Sequence, residues 1–247
     1  MTISMDDLLS SILESLDRID YIKPEDIPNI DLYMDQVTTF MDKKLKSSTR
    51  YPDEDKILTK TMINNYAKNK LLPSPERKKY SKEHILVLIF IYYFKGILSI
   101  GDIQTLLSPI MDRFFKSEKG LRLEDVYEEV FSLEKEQIDV LKKDVVRNFE
   151  IAQGTFEEAE EEAQEFLKQF AFICMLSFDV YTKKLLIEKM IDGMNGSFRN
   201  FRDKDVKKEK GKEKEKEREN EKEKARERKK EKEIVKEREK EKETETE

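Results

Sequence analysis

The sequence predicts an all-α protein, and three observations carry that expectation. Glycine and proline are scarce, at seven and six in 247 residues. Apolar residues almost never alternate with period two. They recur instead at intervals of three and four through residues 1–202, the spacing of a helix with one buried face. The stretch after residue 202 is different. From Asp203 onward, 45 residues hold 19 Lys/Arg and 18 Asp/Glu, and only Val206, Ala225, Ile234 and Val235 are apolar. Such a segment buries too little surface to offset its chain entropy. Its near alternation of Lys and Glu sets like charges at i and i+4 and opposite charges at i and i+3, so helical support is mixed. A disordered or solvated helical tail is expected.

The elements follow from caps and breakers. Ser4 is placed to cap a first helix with Asp7 at its third position, and Leu8, Leu9, Ile12, Leu13, Leu16 and Ile19 form its stripe. Pro24 and Pro28 break the chain. A second helix is expected over Leu32 to Leu45, with Val37, Phe40 and Met41 inward, followed by a polar loop from Lys46 to Asp55. Thr59 caps a third helix whose inner face is Met62, Ile63 and Tyr66, and Pro73 and Pro75 end it. Ser81 caps a helix that is apolar nearly all round from Ile85 to Phe94, as suits a central element. Ser99 with Asp102 opens the next, which is expected to stop at Pro109. Beyond Arg113 one helix is read across Leu121–Gln153, on a stripe of Val126, Val130, Leu133, Leu141, Val145 and Phe149. Thr155 with Glu158 then reads as a capping box for a long last helix with the stripe Phe156, Ala159, Ala163, Phe166, Phe170, Cys174, Phe178, Tyr181 and Leu185. Two long helices joined at Gly154 predict an antiparallel α-hairpin, which needs the first domain or a second copy to close its core.

Charge is unevenly distributed. The whole chain is at −6. Lys56–Leu107 has nine Lys/Arg against three Asp/Glu, a local balance of +6, while the remainder of residues 1–202 is strongly acidic. That leaves one candidate surface for an anionic partner.

This basic segment resembles the DNA-binding domain of MerR-type transcription regulators, a winged helix-turn-helix. The residues carrying the resemblance are Ile63, Tyr66, Leu71-Leu72-Pro73-Ser74-Pro75, Arg77-Lys78-Lys79 and Tyr80-Ser81, followed by Gly96, Ser99, Ile103 and Leu106-Leu107. Ile27–Pro109 is also similar to an uncharacterised bacterial family described as a domain of unknown function. Three departures stand out. Asn64-Asn65-Tyr66 replaces Arg-Tyr-Tyr, Lys70 replaces the glycine before Leu-Leu, and the wing is about five residues short, a vestigial hairpin at most. The resemblance implies a recognition helix entering the major groove of double-stranded DNA. Lys60, Thr61, Asn64, Asn65 and Lys68 would face the bases, and Arg77, Lys78 and Lys79 the phosphates.

The expected organisation is a helix over 1–26, a MerR-like domain over 27–110, a dimerising or effector hairpin over 111–198 and a charged tail over 199–247. The expected function is a dimeric, cytoplasmic transcription regulator with an unidentified effector. The alternative is a protein-interaction module on the same scaffold, since fold alone does not fix function. No enzyme, cofactor or metal is expected. His84 is the only histidine and sits in a helix's first turn, Cys174 is the only cysteine and lies on an apolar face, and Glu157–Glu162 reads as a solvated helix start. The longest apolar runs, Ile85–Phe94 and Phe170–Phe178, are short of the roughly 20 residues that span a bilayer. The first 20 residues lack the basic start and unbroken apolar core of a signal peptide.

Overall fold

A computed structural model describes residues 5–17, 21–46, 49–117 and 119–194. The chain divides into two units, Met1–Asp192 and Gly193–Glu247, and the apolar clusters among the described residues lie in the first. Ser4, Ile19 and the charged tail lie outside the described residues.

The described part is mainly helical. Helix α1 (Met5–Asp17) is followed by a 3-10 turn at Pro24–Asp26, strand β1 (Leu32–Tyr33), α2 (Met34–Leu45), α3 (Lys60–Lys68), strand β2 (Lys79–Tyr80), α4 (Lys82–Phe94), α5 (Ile100–Phe114), α6 (Leu123–Ser132) and α7 (Glu134–Gln153). A last helix, α8, covers 161–194. The strands form one antiparallel ribbon in which Leu32 pairs with Tyr80 and Tyr33 with Lys79. Leu32 and Tyr33, expected as the start of α2, are thus strand.

Helix α4 organises the main core. Its residues His84 to Ile91 are all buried, α5, α6 and strand β2 pack against it, and α2 packs on the ribbon. Val37 and Met41 of α2, Ile63 of α3 and Ile103 of α5 close this core with no exposed surface. The local caps form where the side chains dictate: the Thr59 hydroxyl accepts from the Met62 N–H (3.2 Å), and the Ser99 hydroxyl accepts from the Asp102 N–H (3.2 Å). A smaller cluster of Met5, Val145, Phe149, Ala152 and Phe172 joins α1, α7 and α8.

Four expectations are corrected by tertiary packing, the strand at Leu32 being the first. Helix α5 does not stop at Pro109 but runs through it to Phe114. Ile110, Met111 and Phe114 pack on the core and offset the lost backbone bond, which costs about 3 kcal/mol. The single helix over Leu121–Gln153 is broken at Leu133. The inner face of α6 is Leu123, Tyr127 and Phe131, one residue round from the expected Val126/Val130 stripe. Tyr127 can be buried because its hydroxyl donates to the Ile22 carbonyl (2.7 Å). This core therefore includes Leu123 and Tyr127 of α6. Finally, α8 starts at residue 161, after an irregular linker from residue 154. The Thr155 hydroxyl donates back to the Ala152 carbonyl (2.7 Å) and forms no capping box with Glu158. The expected stripe of α8 faces outward, and the buried positions are Phe172 and Ile191.

Candidate nucleic-acid interface

The apolar spacing of α3 decides which of its side chains are available. Ile63 and Tyr66 are buried and Met62 is half-buried. Thr61, Asn64, Asn65 and Lys68 then fall at i, i+3, i+4 and i+7, one continuous exposed stripe. Among the described residues, none of these four side chains is hydrogen-bonded or ion-paired within the chain, so their donors and acceptors are open to a ligand. At nine residues the helix is about 14 Å long.

Its end is unusual. Lys70 adopts a left-handed conformation (φ 58°). The Lys70 N–H donates to the Ala67 carbonyl (3.1 Å) and the Leu71 N–H to the Tyr66 carbonyl (2.8 Å), which is the Schellman pattern. Lysine thus stands where the chain geometry favours glycine. The cap turns Leu71 and Leu72 into the core and frees the next segment to form a hairpin.

That hairpin is as tight as a hairpin can be. Glu76 bridges to Lys79, whose N–H donates to the Glu76 carbonyl (2.8 Å). The two residues between, Arg77 and Lys78, both have positive φ, 49° and 64°. Such a turn, positive at both central positions, prefers Asn-Gly, and each L residue with a side chain costs on the order of 1 kcal/mol there. Arg77 and Lys78 are exposed and make no salt bridge among the described residues. The base of the hairpin is fastened by an ion pair from Lys116, in the turn after α5, to Glu76. The hydrogen bond from Lys116 and its charge hold the Glu76 carboxyl below the usual carboxylate range.

Tyr33, at the end of β1, and Asp35, at the start of α2, each engage one group of expected site residues. Lys60, at the start of α3, is ion-paired with Asp35. Lys79 lies over the Tyr33 ring, 5.3 Å from its centroid. Tyr33 and Asp35 are two residues apart, a reach of about 7 Å. The start of α3 and the hairpin therefore meet at one corner of the fold, although Lys60 and Lys79 are each engaged by a neighbour there.

Beside this corner, α2 and the start of α3 border an open groove of about 550 Å³, lined by Thr38, Asp42, Lys43, Lys46, Lys56 and Lys60 among others. Lys43, Lys46 and Lys56 were not singled out by the sequence pattern. Lys43 is exposed on α2, and Lys46, the residue that follows the helix, is half-buried and ion-paired with Asp53 (3.7 Å); their spacing of three was the available signal.

His84 is buried, as the third residue of α4, and not a surface residue. Its Nδ1 accepts from the Ser81 N–H (3.0 Å), and Tyr80 and Phe115 meet its ring edge-on. Nε2 has no hydrogen-bond partner of normal geometry. Burial pushes the imidazole pKa below its ordinary value. Among the described residues no group of three or more His, Cys, Asp or Glu is placed to hold a metal ion, and no helix is long and apolar enough to cross a membrane.

A family model described as a domain of unknown function (DUF1836) matches residues 22–130. The match begins at Ile22, whose carbonyl receives the Tyr127 hydroxyl, and ends within α6, so it covers the elements packed around α4. No curated protein and no solved structure matches the chain.

Proposed function

We propose that the region around α4 is a winged-helix DNA-binding domain of MerR-like type and that the protein regulates transcription. The observation that carries this reading is the exposed stripe Thr61, Asn64, Asn65 and Lys68, set beside a hairpin tip made of two unpaired cations. Asparagine can pair bidentately with adenine in the major groove, while Arg77 and Lys78 carry phosphate affinity. Two left-handed cationic residues at an exposed tip are strain that a merely structural turn would shed, and such strain collects at functional sites. In this reading Lys43, Lys46 and Lys56 extend the phosphate track along the neighbouring groove. The test is selection of bound fragments from a random double-stranded DNA pool at about 50 and about 200 mM salt. A recovered sequence whose retention weakens steeply with salt is expected; an empty selection at both concentrations contradicts the reading.

A second reading, an interaction module that does not bind DNA, has one observation in its favour: Asp35 neutralises Lys60. Asp35→Asn separates the two. As a DNA-binding face it releases a cation and tightens binding about 3-fold at low salt, the effect of roughly half a phosphate contact. As a protein-binding face it leaves DNA untouched.

A further inference from the structure

The hairpin rests on a residue that the DNA-binding reading does not use. His84 is 1 % exposed and lies between the two ends of the hairpin. On the exit side, its Nδ1 accepts from the Ser81 N–H (3.0 Å), and the Tyr80 ring stands edge-on at 5.6 Å. On the entry side is the backbone of Ser74. Phe115, just past α5, closes a third side at 4.9 Å.

Hydrogen bonding fixes where a second proton goes. Because Nδ1 accepts, the neutral ring carries its proton on the buried Nε2. The Ser81 hydroxyl lies 2.9 Å from Nδ1 but donates to the Glu83 carboxylate (2.6 Å). The second proton therefore lands on Nδ1 and turns an acceptor into a donor. The new N–H can turn to the Ser81 hydroxyl oxygen, but the Ser81 backbone N–H is left without its acceptor. We propose that His84 is a proton switch for the hairpin: when its ring takes a second proton, the hairpin carrying Arg77 and Lys78 loses its anchor on α4. The tip is already held in left-handed backbone, so the hairpin depends on its anchors.

The surrounding charges set the direction. Burial disfavours the charged ring, and Lys116 after α5 adds to that, whereas the Ser74 backbone, Glu83 of α4 and Asp31 before β1 favour it. Glu76 of the hairpin also feels the ring's charge. Lys82 of α4 is turned to Glu124 (2.7 Å), and Lys79 of β2 lies over the Tyr33 ring. Opposition wins, so the ring resists the proton while the hairpin is seated and takes it readily once the hairpin lifts. Release is favoured as pH falls from about 6.5 toward the lowered value, by up to about tenfold per pH unit.

The test is NMR of the isotope-labelled full chain from about pH 8 to about pH 5, with the ring signals of the single histidine read beside amide hydrogen exchange. At the upper end the ring should be the Nε2–H tautomer. Below about pH 6.5 the Ser81 and Lys79 N–H groups should lose protection by up to about tenfold per unit, while Leu88 and Ile103 in the core keep theirs. Three results overturn the inference: hairpin protection unchanged as the ring protonates, a ring neutral until the whole chain unfolds, or core amides lost together with the hairpin. His84→Gln, which keeps an acceptor for the Ser81 N–H, should hold hairpin protection constant with pH; the wild-type titration decides alone if that variant does not fold. The consequence for DNA rests on the DNA-binding reading. With the ring charged, the slope of log K against log salt should be shallower by about 2, the loss of two phosphate contacts. A released hairpin with an unchanged slope upholds the switch and contradicts the DNA-binding reading.

Discussion

The two apolar clusters of this protein differ in how completely they close. Around α4, eight consecutive buried residues are covered by α5, α6 and the ribbon. Around α7 and α8, five buried residues hold three helices together while most of the apolar surface of α8 faces out. The first cluster can support a fold and leave polar side chains such as Asn64 and Lys68 free for a ligand. The second leaves an apolar helix face uncovered among the described residues. The same residue types thus end in two settings, and position relative to α4 decides which.

The sharpest way to break this contrast is to truncate one leucine or phenylalanine in each region. Leu88→Ala, at a site with no exposed surface, should cost about 2–5 kcal/mol of unfolding free energy by urea titration. Phe170→Ala should change the stability of the isolated monomer by less than about 0.5 kcal/mol, since surface truncations rarely do more. Equal losses at both sites mean that α8 is buried in the monomer. Next in size is Tyr127→Phe, which leaves the buried Ile22 carbonyl without its donor and should cost about 1–2 kcal/mol.

The pH response probes the same core. His84 is the chain's only histidine and its pKa is lowered by burial. Between that lowered value and the ordinary value of about 6.5, the unfolded state binds more protons, so stability rises with pH and is lost as pH falls below about 6.5. Urea midpoints at pH 7, 6 and 5 should fall in that order. Glu76 and Asp125, whose carboxyls are held low by Lys116 and Arg122, lose their contribution only at more acidic pH. His84→Gln keeps an acceptor at the third helix position for the Ser81 N–H and should flatten the slope between pH 7 and 5. The smallest effect is a gain. Lys70→Gly removes a side chain from a left-handed position and should stabilise the fold by about 0.5–1 kcal/mol without altering α3's exposed stripe.

Local chemistry was legible in the chain. Thr59 and Ser99 cap their helices, and the all-round apolar pattern of Ile85–Phe94 marks the centre of the core. The exposed stripe of α3 also follows from spacing, because Ile63 and Tyr66 leave only one side for the polar residues. What escaped was decided by partners distant in sequence. Val126/Val130 and Tyr127/Phe131 have the same helical period, and partners distant in sequence, the Ile22 carbonyl 105 residues from Tyr127 and the Phe90 ring, make the tyrosine the inner choice. The outward turn of Phe166, Phe170 and Tyr181 is likewise invisible to periodicity, which finds an apolar stripe but not what covers it. At the candidate site, the engagement of Lys60 by Asp35 depends on how α2 and α3 pack. The left-handed Arg77 and Lys78 depend on the short span between Pro75 and the ribbon, not on their own preferences.

The central claim is that the α3 stripe and the hairpin tip grip DNA. Its most direct test is the salt dependence of binding to a selected DNA fragment, by fluorescence anisotropy from about 50 to about 200 mM salt. The full chain is compared with the variant carrying Lys68→Ala, Arg77→Ala and Lys78→Ala. Each phosphate contact contributes about 0.9 to the slope of log K against log salt, so losing Arg77 and Lys78 should make the variant's slope shallower by about 2, and its affinity should be lower throughout. Equal slopes and affinities for the two proteins would contradict the account.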